Sequence, residues 1–445
     1  MIWRKFMRKK LFIICFIVLY AMIASISIYP AYAEENDNTQ NINTIDSETI
    51  PPKISAKDMV LIDSKTGQVL CALNPDQKAY PASITKILTA AIALEKGNLN
   101  DVITIDEEAS SGIPAGSSAI VMDKGEKFTL EQLLYGLMLI SGNDAAVAIA
   151  KYISGSTNNF VELMNKTAKE WGAKNTNFVN PHGFHNDNHF TTAYDMAMIA
   201  KHAMTIPKFR EIVSTLSYTN IPKTVRGQQR HWENINSFIH PNSKYYYKGS
   251  TGIKTGYTSE AHHTLVASAQ QNDMELIVVL MGEPSKPIAW KDAAALLDYG
   301  FNNFHRVLIK SKGTALGTVN INNDTATAIQ ALLNTDVEAV VPKTVQPSNI
   351  QASIHLPVSI SGEIKKDEII GNIDYYLNGS QKIASADLVA SQTVNKKSEA
   401  NTAPLTAKEN TIISYSNIWQ IILIIILLAA LWTLHSLKKS HNNSY

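Results

Sequence analysis

Between Ala79 and Leu94 the chain carries a single charged side chain, Lys86, among apolar and hydroxyl residues. On a 100° wheel, Ile84, Ile87, Leu88, Ala91, Ile92 and Leu94 form one apolar arc, and Lys86 lies opposite among Ala82, Ala90 and Ala93. The pattern predicts a helix over 83–96, closed by Gly97, with no solvated face, and such a helix must be surrounded by other elements. A lysine inside it is either paired or held at a depressed pKa, and a neutral amine can take a proton from a neighbouring hydroxyl. Ser83, three residues before Lys86, shares its face and sits in the first turn, where the helix dipole favours developing negative charge. The plainer alternative is a serine cap on a helix whose lysine snorkels to solvent.

Two further constellations have the same double character. Ser141-Gly142-Asn143-Asp144 follows an apolar helix predicted over 130–140, which opens with Thr129 and Gln132 at capping-box spacing. A serine and an asparagine delivered at a helix end supply a proton-relaying hydroxyl and an amide that can hold a peptide group. An ordinary Ser-Gly-Asn turn is the bland reading. Lys254-Thr255-Gly256, followed by Tyr257, brings a cation and a hydroxyl together on a strand, and Gly256 clears space for a ligand backbone. That set suits a terminal carboxylate, and its alternative is a surface strand with a solvated lysine.

The chain's 445 residues allow two or three domains. Lys+Arg (40) nearly cancels Asp+Glu (39), which excludes a basic nucleic-acid binder and an acidic tail protein. Two cysteines, Cys15 and Cys71, exclude a disulfide framework and cysteine-rich zinc modules. Residues 34–57 read as a flexible spacer. A hairpin around Ser64–Gly67, helices over 83–96, 130–140, 144–153, 158–171, 192–204 and 287–304, and strands near 247–257, 264–269 and 275–281 predict an α+β domain over 58–305, an antiparallel sheet with packed helices. Short β-like runs punctuated by Pro and Gly predict a small β-sandwich-like domain over 306–394, and residues 395–416 read as a stalk.

Both ends point at a membrane. Arg4, Lys5, Arg8, Lys9 and Lys10 precede an apolar run from Leu11 to Ile28 and an Ala31-Tyr32-Ala33 site, the pattern of an export signal over 1–33, although an uncleaved anchor is the alternative. Removing its five positive charges from a chain of net +1 leaves −4. Cys71 then stands alone and reads as a small core residue. Ile418–Leu434, apolar apart from Gln420 and Thr433, spans roughly 26 Å as a helix. With Trp419 and Trp432 near its ends and Lys438 and Lys439 behind it, it predicts a transmembrane helix over 417–437 and a short cytoplasmic tail over 438–445, with the body outside the cell membrane.

Taken in order, S-x-x-K, S-x-N and K-T-G form a set closely similar to that of penicillin-binding proteins and class A β-lactamases. The chain resembles the low-molecular-mass penicillin-binding proteins that act as serine-type D-alanyl-D-alanine carboxypeptidases (peptidase family S11), over roughly residues 55–395. Asn180-Pro181-His182-Gly183 and His189–Asp195 resemble that family's middle region, whereas Ala261-His262-His263 departs from its usual Ala-Gly. The resemblance implies a penicillin-binding-protein fold and a hydrolase that removes the terminal D-alanine from peptidoglycan stem peptides ending in D-Ala-D-Ala, with no cofactor and no metal. By motif position it implies Ser83 as the acylated nucleophile, Lys86 as its base, Ser141 as proton relay and Asn143 as holder of the substrate amide. Lys254 and Thr255 bind the terminal carboxylate, and the backbone N–H groups of Ser83 and Tyr257 form the oxyanion hole. β-Lactams become covalent inhibitors on Ser83.

A class A β-lactamase needs a deacylating carboxylate in a Glu-x-x-Leu-Asn segment. Glu162, Glu170, Glu211 and Glu233 are instead followed, four residues on, by Lys166, Lys174, Thr215 and Ser237. A non-catalytic membrane-tethered β-lactam sensor or cell-wall binding protein is the other alternative. His182, His185 and His189 are spaced for a metal on one helical face, but Pro181 and Gly183 argue against a helix there. Tyr245-Tyr246-Tyr247 is read as sheet packing or, alternatively, a sugar-binding lip.

Overall fold

The computed structural model describes residues 50–114, 116–322 and 327–395. The segments read as signal (1–33), anchor (417–437) and tail (438–445) lie outside the described residues, as do Cys15, residues 34–49 of the expected spacer and nearly all of the stalk. At the spacer's described end Ala56 is buried in the core and the Lys57 N–H donates to the Met281 carbonyl, so this end is packed. No helix among the described residues is long and apolar enough to cross a membrane.

Among the described residues the first elements are the hairpin strands β1 (Asp58–Asp63) and β2 (Val69–Leu73). Two small ribbons follow, β3 (Val102–Thr104) with β4 (Lys127–Thr129) and β5 (Ser217–Tyr218) with β6 (Trp232–Glu233). Then come β7 (Ser250–Thr258), β8 (His262–Gln271) and β9 (Met274–Glu283). β1, β2 and β7–β9 form one antiparallel five-stranded sheet in the order β2-β1-β9-β8-β7. The hairpin thus closes onto β9, more than 200 residues later, and helices occupy much of the interval.

Alternation along the strands sorts the core onto two faces. Val60, Ile62, Val266, Ile277 and Val279 pack with the helices Lys86–Lys96, Leu130–Leu139, Asn143–Ser154, Thr157–Glu170, Ala193–Ala203 and Pro207–Ser214. Leu61, Leu265, Leu276, Val278 and Leu280 face the helix Lys286–Asn303. Leu130–Leu139 starts with the capping box expected of Thr129 and Gln132. Cys71 is buried on the second face, which pushes its thiol up to about 12 and makes it a packing residue.

The expected helix over 83–96 is split. Ala82–Thr85 is a 3₁₀ turn, and the α-helix proper begins at Lys86. The Thr85 hydroxyl donates to the Ala82 carbonyl at 2.8 Å, tightening the turn, and Ala82 adopts φ +50°. The helices Glu107–Ser111 and Pro207–Ser214 were not foreseen, being too short for periodicity to reveal.

From Phe304 the chain is β-rich: β10 (Phe304–Lys310), β11 (Ala315–Asn322), β12 (Thr327–Leu333), β13 (Val337–Pro342), β14 (Ile350–His355), β15 (Ser359–Ser361), β16 (Ile369–Leu377) and β17 (Gln381–Ala390). β10 pairs with β13, and the rest form a six-stranded sheet in the order β14-β16-β17-β12-β11-β15. Its core is continuous with that beneath helix Lys286–Asn303. Across the junction the Gln68 amide both donates to and accepts from the Val340 backbone (2.6 and 2.8 Å), and Arg306 donates to the buried Asp63 carboxylate at 2.6 Å.

Candidate active site

The 3₁₀ turn at Ala82–Thr85, the start of helix Asn143–Ser154 and strand β7 converge on a cleft of about 650 Å³, lined by Ser83, Ser141, Asn143, Thr255, Gly256 and Tyr257. A larger cleft of about 1300 Å³, between the β1–β2 hairpin and the β-rich region, contains none of these motifs.

Lys86 lies at the centre and is wholly buried. Its Nζ is 3.0 Å from Ser83 Oγ and 2.6 Å from both Asn143 Oδ1 and the His182 carbonyl oxygen. Burial, then the charge of Lys254, hold its pKa well below the usual lysine range, against a weaker opposing pull from Asp144. In the free-amine form the geometry fixes where protons go. A neutral amine has two N–H bonds and one lone pair. Two of its three neighbours are carbonyl oxygens and can only accept, so the lone pair is left for the one neighbour that owns a proton, the Ser83 hydroxyl.

Ser141, at φ +66°, directs a buried Oγ that has no hydrogen-bond partner, in a wall of the same cleft. The Asn143 amide oxygen is engaged by Lys86, which leaves its NH₂ end to donate. Its neighbour Asp144 is buried and accepts from the N–H groups of Ile120, Val121 and Ala145, so it anchors the adjoining loop. Lys254 is also buried; its ammonium donates to the Thr255 carbonyl at 2.9 Å, and burial followed by the charge of Lys286 lowers its pKa to about 7.

Gly256 sits where a side chain has no room. A Cβ there would stand 2.4 Å from Thr264 Oγ1 and 2.8 Å from the Ser83 nitrogen. The strand backbone can therefore press against the Ala82–Thr85 turn, close to the Ser83 peptide nitrogen. The Thr264 hydroxyl donates to the Pro81 carbonyl at 2.9 Å and locks strand and turn together.

Several contributors were given no role in this site from sequence, although His182, Gly183 and His189 had been noted there. Gly183 (φ +83°) packs its α-carbon so tightly on the turn that a Cβ would lie 1.8 Å from the Ala82 oxygen. Thr89 donates to the Pro181 carbonyl at 2.6 Å. His189 Nδ1 accepts from the Val179 N–H at 3.1 Å, so Nε2 carries the proton and donates to Thr85 Oγ1 at 2.9 Å; burial, then Lys86, lowers its pKa to about 3. Burial likewise lowers His182 to about 3. Lys286 lines the cleft as a second cation near Lys254. The Asn-Pro-His-Gly spacing was visible in sequence, but its contact with the turn is long-range and left no local signal.

His182, His185 and His189 lie in a loop and not on a helix, and no group of three or more His, Cys, Asp or Glu among the described residues is arranged to hold a metal. None of Glu162, Glu170, Glu211 and Glu233 lines the cleft. His263 does line it and stacks on Tyr257 with ring centroids 4.6 Å apart. Tyr247 is a packing residue against Phe238, with its hydroxyl donating to Asp298 at 2.8 Å.

Residues 45–285 match the family model described as D-alanyl-D-alanine carboxypeptidase, and residues 304–396 match that of the penicillin-binding protein 5 C-terminal domain. The chain is 35% identical over 359 residues to D-alanyl-D-alanine carboxypeptidase DacA of Haemophilus influenzae, covering 79% of this chain and 87% of that one. It is 31% identical over 346 residues to DacF of Bacillus subtilis, covering 77% and 86%. Among solved structures it is similar to penicillin-binding protein 5 from Haemophilus influenzae, with a TM-score of 0.68, 34% identity and coverage of 78% of this chain and all of that one. It is also similar to penicillin-binding protein 6B from Escherichia coli, with a TM-score of 0.59, 30% identity and coverage of 79% and 99%.

Proposed function

The chain belongs to the peptidase S11 family of D-alanyl-D-alanine carboxypeptidases, and from that membership we propose how its own residues carry out the reaction. The protein is a serine hydrolase that removes the terminal D-alanine from peptidoglycan stem peptides and is acylated by β-lactams.

Lys254 and Thr255 hold the terminal carboxylate, and Asn143 holds the substrate amide through its NH₂ group. Ser83 Oγ attacks the carbonyl of the penultimate D-alanine while its proton passes to Lys86 Nζ, so the C–O bond forms on a neutral nucleophile. The oxyanion is held by the N–H groups of Ser83 and Tyr257, where a lost donor typically costs on the order of 3–4 kcal/mol of barrier. The proton then travels from Lys86 through Ser141 to the nitrogen of the departing D-alanine as the C–N bond breaks. Water, deprotonated by Lys86, releases the acyl-enzyme.

The contact of Lys86 Nζ with Ser83 Oγ at 3.0 Å, in a site where the amine's other neighbours can only accept, carries this reading. The test is D-alanine release from a pentapeptide ending in D-Ala-D-Ala. The wild-type chain releases it and Ser83→Ala does not; equal release by both would sink the assignment.

Around this site, the division into a catalytic domain (58–305) and a small β domain (306–394), an export signal over 1–33 and a membrane anchor over 417–437 complete the reading. The division is supported by the two family matches on either side of residues 286–303, and the signal and anchor by the apolar and basic patterning of the two ends. The catalytic domain then stands outside the membrane.

A further inference from the structure

The cleft is electrically two-ended. Toward one end stands Lys254, with Lys286 near enough to act on its charge, while His263 lies opposite Tyr257 on β8. At the other, beyond Tyr257, the turn joining β7 to β8 carries Glu260, which lines the same cleft with Phe184, His185 and Ser259. The Thr258 hydroxyl accepts from the Ala261 N–H at 3.0 Å and fixes this turn. Glu260 is 4.0 Å from His185 Nδ1, a buried nitrogen without a hydrogen-bond partner, and His185 Nε2 is 3.3 Å from Asp187. The His185 ring is held edge-on against Tyr80, with centroids 4.7 Å apart. Among the described residues no lysine or arginine pairs with Glu260.

The direction of β7 decides what meets this end. The strand passes the cleft in the order Lys254, Thr255, Gly256, Tyr257, Thr258. On the reading given above, the substrate's carboxylate lies at Lys254 and Thr255 and its reacting carbonyl at Ser83 and the Tyr257 N–H. An extended peptide advances about 3.3 Å per residue, so the residue preceding D-Ala-D-Ala lies beyond Tyr257, over the Ser259–Glu260 turn. A carboxylate without a cationic partner at that point favours a positive group.

We propose that Glu260 is a specificity-determining residue that selects stem peptides whose residue before D-Ala-D-Ala carries a side-chain ammonium. The cleft then reads its substrate by charge at both ends, the carboxylate at Lys254 and the ammonium at Glu260.

The inference rests on the carboxypeptidase reading, and its test separates the two. D-Alanine release by the full chain is compared for Nα-acetyl-L-Lys-D-Ala-D-Ala and its Nε-acetylated counterpart. The expected result is a kcat/KM about fivefold higher for the free amine, the size typical of one partly exposed charge pair. Glu260→Gln brings the ratio close to one, and Glu260→Lys inverts it. A wild-type ratio near one, or a preference untouched by both variants, overturns the proposal. Absence of release from either peptide overturns the carboxypeptidase reading instead.

Discussion

Two lysines are buried at one site, the charge of Lys254 helps to keep Lys86 uncharged, and on the proposed mechanism they serve opposite ends of the same reaction. Lys86 is useful as a free amine. Lys254, lowered to about 7 by burial and by Lys286, binds a carboxylate only while protonated. Its charged form is therefore present below about pH 7 and lost above it. The kcat/KM for D-alanine release is expected to fall as pH rises through this region, and the falling limb should vanish for a peptide whose C-terminus is amidated. An unchanged limb with the amide would contradict the role of Lys254. Lys254→Ala is expected to raise KM far more than it lowers kcat. At this scale the sequence was informative for Lys86, because a lone charge in an unbroken apolar helix leaves it nowhere to go. It was less so for Lys254, whose strand reads equally well as an exposed edge, since β7 is covered by the distant turn at Ala82–Thr85 and the helix Pro207–Ser214.

At the scale of elements, the Ala82–Thr85 turn that carries Ser83 is gripped from two sides. Gly256 and Thr264 press from the sheet, and Gly183, Pro181 and His189 press from the loop before helix Ala193–Ala203. Gly256→Ala pushes a methyl group against the Ser83 nitrogen and the Thr264 hydroxyl. Penicillin acylation is expected to drop at least 100-fold, the scale of a disturbed oxyanion site, while circular dichroism stays native. Acylation at the wild-type rate would refute the close approach. The helices and strands themselves were largely readable: Leu130–Leu139 from its capping box and apolar face, and β8 and β9 from the Gln271-Asn272-Asp273 turn, where Asn272 takes φ +55°. The 3₁₀ start of the Ser83 segment was not, because it depends on a Thr85 hydroxyl bond and on contacts about 100 residues away.

At the scale of the molecule, the catalytic sheet and the β-rich region share a core and a polar junction. Asp63 is fully buried, with one oxygen accepting from the Thr66 N–H and hydroxyl (2.8 Å each) and the other from Arg306. Arg306→Ala strands that carboxylate, and the cost is expected to be about 3 kcal/mol of unfolding free energy, measured by denaturant titration of the full chain. A change below about 0.5 kcal/mol would show the pair to be no more than a surface contact. This junction could not be read from sequence, since Asp63 and Arg306 are separated by 243 positions and neither belongs to a motif. Its consequence is mechanical: the β1–β2 hairpin is fastened both to β9, the last strand of the catalytic sheet in sequence, and to the region that leads away from it.

The measurement closest to the centre of the account is a nuclear magnetic resonance titration of the full chain labelled at the lysine ε-carbons. One resonance, absent from Lys86→Ala, is expected to titrate well below the 10.5 of an ordinary lysine. The same variant is expected to lose at least 100-fold in Ser83 acylation, as befits a missing general base. A Lys86 signal that remains in its ammonium form up to pH 10 would contradict the mechanism.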